Sequence, residues 1–136
     1  MTKKFIHNVK VYYEDTDAEG VVYYANYLKF LERARTEAIY SLGLTNTKLL
    51  NDCGVLIIVK SCNINYLRPA KFEDNLKINS TIKSITRTSF VMKQVINRNK
   101  DLISEAEIRL VTINRKGKPI KIPDILKNQF KKYLSS

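Results

Sequence analysis

The chain is predicted to fold as an α+β domain in which one long helix packs against a face of an antiparallel sheet. Three observations carry that expectation. Leu28, Leu31, Ala34, Ala38 and Leu42 recur at spacings of three and four, the pattern of an amphipathic helix. Four stretches rich in β-branched and aromatic residues follow residue 55, and the short connections between them favour antiparallel pairing. A chain of 136 residues buries one sizeable core. Residues 1–136 therefore read as a single domain, without room for a separate cofactor domain.

The elements follow in order. Residues 4–14 alternate around His7, Val9, Val11 and Tyr13 and read as a strand. Asp15 to Gly20 is turn chemistry. The helix runs from about Tyr24 to Leu42 and stops at Gly43. Thr45 caps a short helix to about Asp52, and Gly54 ends it. The aliphatic run from Val55 to Val59 opens a strand to about Arg68, broken by Pro69. Further strands lie near 75–87, 89–98 and 102–113, the last two separated by the turn-prone Asn97 to Asp101. A loop with Gly117, Pro119 and Pro123 leads to a terminal helix over 124–134, with Asp124 as its cap.

Charge narrows the function classes. The 24 Lys and Arg against 13 Asp and Glu give a formal charge of +11. Residues 1–52 hold seven basic and seven acidic side chains, so the whole surplus lies after residue 52. That half reads either as a surface for anionic partners or as the Lys, Ile and Asn bias of an AT-rich genome. A nucleic-acid binder needs aromatic residues among its basic ones. Here six of the eight tyrosines lie in the neutral first 52 residues, which argues against that class. The longest aliphatic run falls far short of the roughly 20 residues of a membrane span, and the N-terminus lacks a hydrophobic signal core. A cytoplasmic location is expected. Cys53 and Cys62 fit no metal or redox spacing and read as reduced, small, buried hydrophobes.

The sequence lacks the glycine and nucleophile motifs of dinucleotide-binding, P-loop and α/β-hydrolase enzymes. His7 is the one histidine and reads as a side chain packed or hydrogen-bonded on the first strand, not as a triad base. A structural zinc site lacks ligands. What stands out is the acidic turn, with Glu14, Asp15, Asp17 and Glu19 within six residues. An EF-hand reading of Asp15, Asp17 and Glu19 fails at the twelfth position, which is Asn26. Two readings stay open. The carboxylates accept turn N–H bonds, or one of them attacks, or activates water toward, a carbonyl polarised by the free N–H groups of the following helix.

The run Tyr12-Tyr13-Glu14-Asp15-Thr16-Asp17-Ala18-Glu19-Gly20-Val21-Val22-Tyr23-Tyr24-Ala25-Asn26-Tyr27-Leu28, with Phe30 and Glu32-Arg33-Ala34-Arg35 after it, closely resembles the 4-hydroxybenzoyl-CoA thioesterase family of hotdog-fold enzymes. The match is nearest to the bacterial acyl-CoA thioesterases associated with the Tol-Pal envelope system. Tyr66-x-x-Pro69-Ala70, Arg87-Thr88-Ser89-Phe90 and Glu105-Ala106-Glu107 resemble later segments of the family.

The resemblance implies a hotdog fold with an antiparallel sheet wrapped around the central helix. It also implies active sites at a dimer interface in a homodimer or homotetramer, and acyl-CoA hydrolysis with neither metal nor organic cofactor. Asp17 falls on the family's catalytic carboxylate. Tyr24 falls where a helix-start N–H faces the thioester carbonyl, a position that carries His in the nearest relatives and Tyr in the 4-hydroxybenzoyl branch. Arg87, Thr88 and Ser89 fall in a segment near the CoA moiety, whose phosphates suit a basic second half. The alternative expectation is a non-catalytic module that binds an acyl group, acyl carrier protein, an envelope complex or an anionic lipid surface, on the strength of the basic half and Lys127, Lys131 and Lys132.

Overall fold

The computed structural model describes residues 3–135. Its five strands, β1 (Phe5–Lys10), β2 (Leu56–Tyr66), β3 (Asn75–Ile85), β4 (Ser89–Arg98) and β5 (Asp101–Ile113), form one antiparallel sheet in the order β1-β3-β4-β5-β2. The helices are α1 (Asn26–Ser41), α2 (Asn46–Cys53) and α3 (Asp124–Phe130). Period-two alternation gives the sheet a buried face carrying Leu76, Ile78, Ile82, Phe90, Met92, Ile96, Ile108 and Leu110. Its other face carries Lys77, Lys83, Lys93, Glu107 and Arg109, with Lys83 and Glu107 paired at 2.6 Å. Register shifts at Val59/Ser61, Ile82/Ser84 and Ile96/Asn97 add local twist.

α1 packs on the buried face through Tyr27, Phe30, Leu31, Ala34, Ala38 and Ile39. Each large apolar side chain fully buried there contributes about 1.5–3 kcal/mol. The stripe is rotated from the expected one, since Leu28 is 45 % exposed while Tyr27 and Phe30 are buried. Aromatic rings on the neighbouring turn of the helix reach the sheet where Leu28 does not.

Local chemistry sets the helix ends. Gly43, at φ 76°, donates to the Tyr40 carbonyl and Leu44 to the Ile39 carbonyl, a Schellman closure of α1. Thr45 accepts from the Lys48 N–H at 2.9 Å to cap α2, and Gly54 ends it at φ 66°. Asp124 does not cap α3. Pro123 occupies the cap position without a side-chain hydrogen bond, and Asp124 is the first helical residue. Leu126 and Phe130 anchor α3, with the Phe130 ring 4.7 Å from that of Phe90.

The first strand ends at Lys10, short of the expected residue 14, because Tyr13 to Asp15 close a 3₁₀ turn. His7 is half-buried opposite Ile78. Both cysteines are exposed, contrary to expectation: Cys53 ends α2, and Cys62 lies on β2, an edge strand paired on one side only. Among the described residues no helix is long and apolar enough to cross a membrane.

The registers define two ends of the sheet. Lys10, Tyr66, Asn75, Arg98 and Asp101 share one, and Leu56, Ile85, Ser89 and Ile113 the other.

Candidate active site

The acidic turn sits at the first of these ends. Thr16 and Val22 form an antiparallel bridge, and the Asp17 N–H donates to the Val21 carbonyl at 2.9 Å, closing a small hairpin. Gly20 turns it at φ 80°, a conformation that Cβ-bearing residues rarely adopt. The hairpin is clamped from below. Val22 donates to Ala70 at 2.8 Å and Phe72 donates to Gly20 at 3.3 Å. That lower segment is itself tied down by Arg98, which reaches the Asp74 carboxylate at 2.7 Å and the Pro69 carbonyl at 3.2 Å. The ion pair with Asp74 holds the Arg98 guanidinium above its ordinary pKa.

The four carboxylates separate by environment. Asp15 is structural: its Oδ2 accepts from the Tyr12 N–H, and its carbonyl accepts from the Tyr23 N–H and the Asn26 amide. Asp17 is exposed, and one of its oxygens, Oδ1, accepts from the Glu19 N–H at 2.8 Å. Glu14 and Glu19 face solvent. Among the described residues no three His, Cys, Asp or Glu side chains converge to hold a metal.

The hairpin delivers the chain directly into α1, whose first turn is tight. Asn26 donates to Tyr23, Tyr27 to Tyr24, and Leu28 to Ala25, all to the third residue back. The Tyr24 and Ala25 N–H groups find no acceptor among the described residues, so the mouth of the helix keeps free donors. The Tyr24 ring is 63 % exposed and lies among Tyr23 and Tyr66, with centroids 4.8 and 6.4 Å away. The hydrogen-bonded Tyr24 hydroxyl raises the Tyr23 phenol pKa. Tyr27 is buried and accepts from the Ala70 N–H at 3.0 Å. Burial raises its phenol pKa.

Arg87, Thr88 and Ser89 lie at the opposite end of the sheet. Thr86 and Ser89 close the β3–β4 turn by mutual hydrogen bonds, while the Arg87 and Thr88 carbonyls accept from Ile122 and Thr112. β4 spans about 30 Å between the ends. Within one chain the structure brings Asp17 and Tyr24 to one small hairpin and helix mouth, and does not bring Arg87 to them.

Sequence reasoning did not assign a site role to Tyr66. Its hydroxyl donates to the Tyr24 carbonyl at 3.2 Å from the last residue of β2. Only the neighbouring Pro69-Ala70 signalled that a strand end lies there.

Comparison with known proteins bears on this arrangement. The model of a family described as the thioesterase-like superfamily matches residues 11–130. The chain belongs to this superfamily. It is 39 % identical to the acyl-CoA thioester hydrolase YbgC of Escherichia coli O6:H1, over 96 % of this chain and 98 % of that protein. It is 37 % identical to the acyl-CoA thioesterase YbgC of Haemophilus influenzae, over 93 % of each. The crystal structure of a probable thioesterase from Bartonella henselae superposes with a TM-score of 0.84 at 33 % identity, covering 89 % of this chain and all of that one. The mixed α/β architecture with a five-stranded antiparallel sheet is the hotdog fold of these thioesterase-like neighbours.

Proposed function

We propose that the chain hydrolyses acyl-CoA thioesters, with Asp17 as the catalytic carboxylate and the Tyr24 N–H as the donor to the thioester oxygen. The observation that carries this reading is the pairing of an exposed Asp17 carboxylate with free N–H groups at the mouth of α1, joined by the hairpin that runs from Thr16 to Val22. Asp17 either attacks the thioester carbon itself or takes a proton from the attacking water. In both routes attack forms the new C–O bond and shifts the carbonyl π pair onto oxygen, and helix-start N–H groups hold that oxyanion. Its collapse breaks the C–S bond to release the CoA thiolate, which takes up the proton of the reacting water; on the nucleophilic route that water then hydrolyses the acyl–Asp17 anhydride to free acid. Neither route draws on a metal or organic cofactor.

The reading extends to an assembly. β2 is an open edge that exposes Leu56, Ile58, Val59 and Tyr66, with Leu67 just beyond it. An open apolar edge of this length invites pairing with another strand. Antiparallel pairing of β2 with β2 of a second copy sets the far end of one sheet beside the acidic-turn end of the other. A site built from Asp17 and Tyr24 of one chain and Arg87, Thr88 and Ser89 of the second resolves their separation within one chain. Homodimers, alone or paired into homotetramers, follow from this arrangement, in a cytoplasmic setting where CoA is available.

Free-thiol release from a panel of acyl-CoAs tests the assignment. Wild-type chain is expected to cleave members of the panel, and Asp17→Asn to lose at least about a hundredfold in rate with an unchanged melting temperature. Equal rates in both forms would remove Asp17 from the mechanism. The exposed Lys131 and Lys132 favour a second reading, a module that docks acyl carrier protein or another acidic partner. A salt-sensitive complex formed without any thioester cleavage would select it.

A further inference from the structure

With the strand order β1-β3-β4-β5-β2, the chain that leaves β2 for β3 has to cross the ends of β5 and then β4, and residues 67–74 make that crossing. Over β5 the backbone holds it. The Leu67 and Arg68 N–H groups both donate to the Ile103 carbonyl, at 2.9 and 3.1 Å. Over β4 the tie is a side chain. Arg98, the last residue of β4, sends one guanidinium nitrogen, Nη1, to the Pro69 carbonyl at 3.2 Å and to the Asp74 carboxylate at 2.7 Å. These acceptors lie at the two ends of segment 69–74, so a single nitrogen draws the segment closed. The paired side chains are only 23 and 20 % exposed, where an ion pair is stronger than in open water.

The candidate site hangs on this segment. The Ala70 carbonyl accepts from the Val22 N–H at 2.8 Å, the Phe72 N–H donates to the Gly20 carbonyl at 3.3 Å, and Lys71 bridges to Val21. The second arm of the hairpin is thereby fixed, and its Val21 carbonyl accepts from the Asp17 N–H. From the same segment the Ala70 N–H donates to the Tyr27 hydroxyl in the first turn of α1.

Asp17 has no anchor of its own. Its carboxylate is exposed, and its hydrogen bond to the Glu19 N–H stays inside the hairpin. The first arm is pinned to the helix start through the Asp15 carbonyl, which accepts from the Tyr23 N–H and the Asn26 amide. Asp17 lies beyond that point and takes the rest of its placement from the second arm, hence from segment 69–74.

We propose, building on the acyl-CoA reading above, that Arg98 is a positioning residue for the reaction. By closing segment 69–74 it sets the placement of the Asp17 carboxylate against the helix-mouth N–H groups, acting through the hairpin and not by contact with the thioester. A misplacement of about 1 Å between reacting groups costs on the order of a hundredfold in rate. Arg87, Thr88 and Ser89 are held by the separate β3–β4 turn, so loosening the segment spares the grip on CoA.

The test compares wild type, Arg98→Met and Arg98→Lys in steady-state thiol release and in amide hydrogen exchange at Asp17, Val22 and Phe72. Arg98→Met is expected to lower kcat at least about tenfold with KM within about twofold of wild type. Exchange at Val22 and Phe72 should quicken by about tenfold or more, while Met92 and Ile108 in the sheet centre keep their protection. Arg98→Lys, which keeps a charged donor, should recover part of both effects. Asp74→Asn removes the charge and leaves an oxygen for the Lys71 N–H. It should shift kcat and exchange in the same direction by less, and it decides alone should Arg98→Met not fold. A wild-type kcat in Arg98→Met overturns the proposal, as does a loss carried by KM, or a loss of protection that runs evenly through the whole sheet and so marks Arg98 as a residue of general stability. Absence of turnover by the wild type counts against the hydrolase reading alone, because exchange at Val22 and Phe72 still decides whether Arg98 holds the hairpin.

Discussion

The Tyr66 hydroxyl at the end of β2 donates to the Tyr24 carbonyl at the start of α1, 3.2 Å away and 42 residues earlier in the chain. That carbonyl shares a planar peptide with the Ala25 N–H. Holding the oxygen toward β2 therefore aims the N–H the opposite way, out of the helix mouth. Tyr66→Phe keeps the ring against Tyr24 and Tyr27 and removes the hydroxyl alone. The expected result is a two- to tenfold fall in kcat, on the order of a single hydrogen bond, with a melting temperature close to wild type. Steady-state thiol release and thermal denaturation on the same preparations check it.

Gln94 is fully buried on β4 and serves three partners, Arg35, Ser80 and the Leu31 carbonyl. Gln94→Leu fits the volume but strands the Arg35 guanidinium and the Ser80 hydroxyl. It is expected to cost about 2–3 kcal/mol, read from denaturant midpoints. Gln94→Leu combined with Arg35→Met should recover part of that loss, since the double variant no longer buries an unanswered charge.

Alkaline pH should reveal Tyr27. Burial raises its phenol above the ordinary value of 10.0, so the folded chain holds the proton more tightly than the unfolded one. The stability tied to this group is fully present below pH 10.0 and is lost as pH rises through the higher folded value. Denaturant midpoints between neutral and strongly alkaline pH are expected to fall above that point. In Tyr27→Phe the fall should be shallower, at the cost of the Ala70 N–H losing its acceptor.

The open edge makes its own prediction. Ile58 on β2 is 43 % exposed. Ile58→Lys places a charge on an edge that the proposed assembly buries. Sedimentation at micromolar concentration should show a monomer with unchanged circular dichroism, and thiol release should fall with it.

Local chemistry was readable from sequence and long-range placement was not. Thr45 and Gly54 set the ends of α2 as expected, because a cap depends on its immediate neighbours. Gly43 ended α1 for the same reason. Asp124 failed as a cap because Pro123, with its preset φ, took the position. The errors at Leu28, Cys53 and Cys62 concern burial, which depends on strands arriving from elsewhere. β2 came out as an edge, and no periodicity within residues 55–68 announces that. In the site, the acidic turn and helix start were legible because they are contiguous. Tyr66 and the Arg35–Gln94 contact were not, since each joins elements 40 to 60 residues apart. Arg87, Thr88 and Ser89 entered through family resemblance alone, and their distance from Asp17 appeared only with the strand order.

That strand order has a genetic consequence. On the proposed pairing, each site takes Asp17 from one chain and Arg87 from the other, so two different crippled chains complement each other. A chain carrying Asp17→Asn and one carrying Arg87→Ala, each weak by itself, assemble into mixed pairs. In such a pair one site collects both lesions and the other collects none. Random association leaves about a quarter of all sites intact in an equimolar mixture. Activity should therefore return on mixing, after exchange of subunits, and should not return when either chain also carries Ile58→Lys.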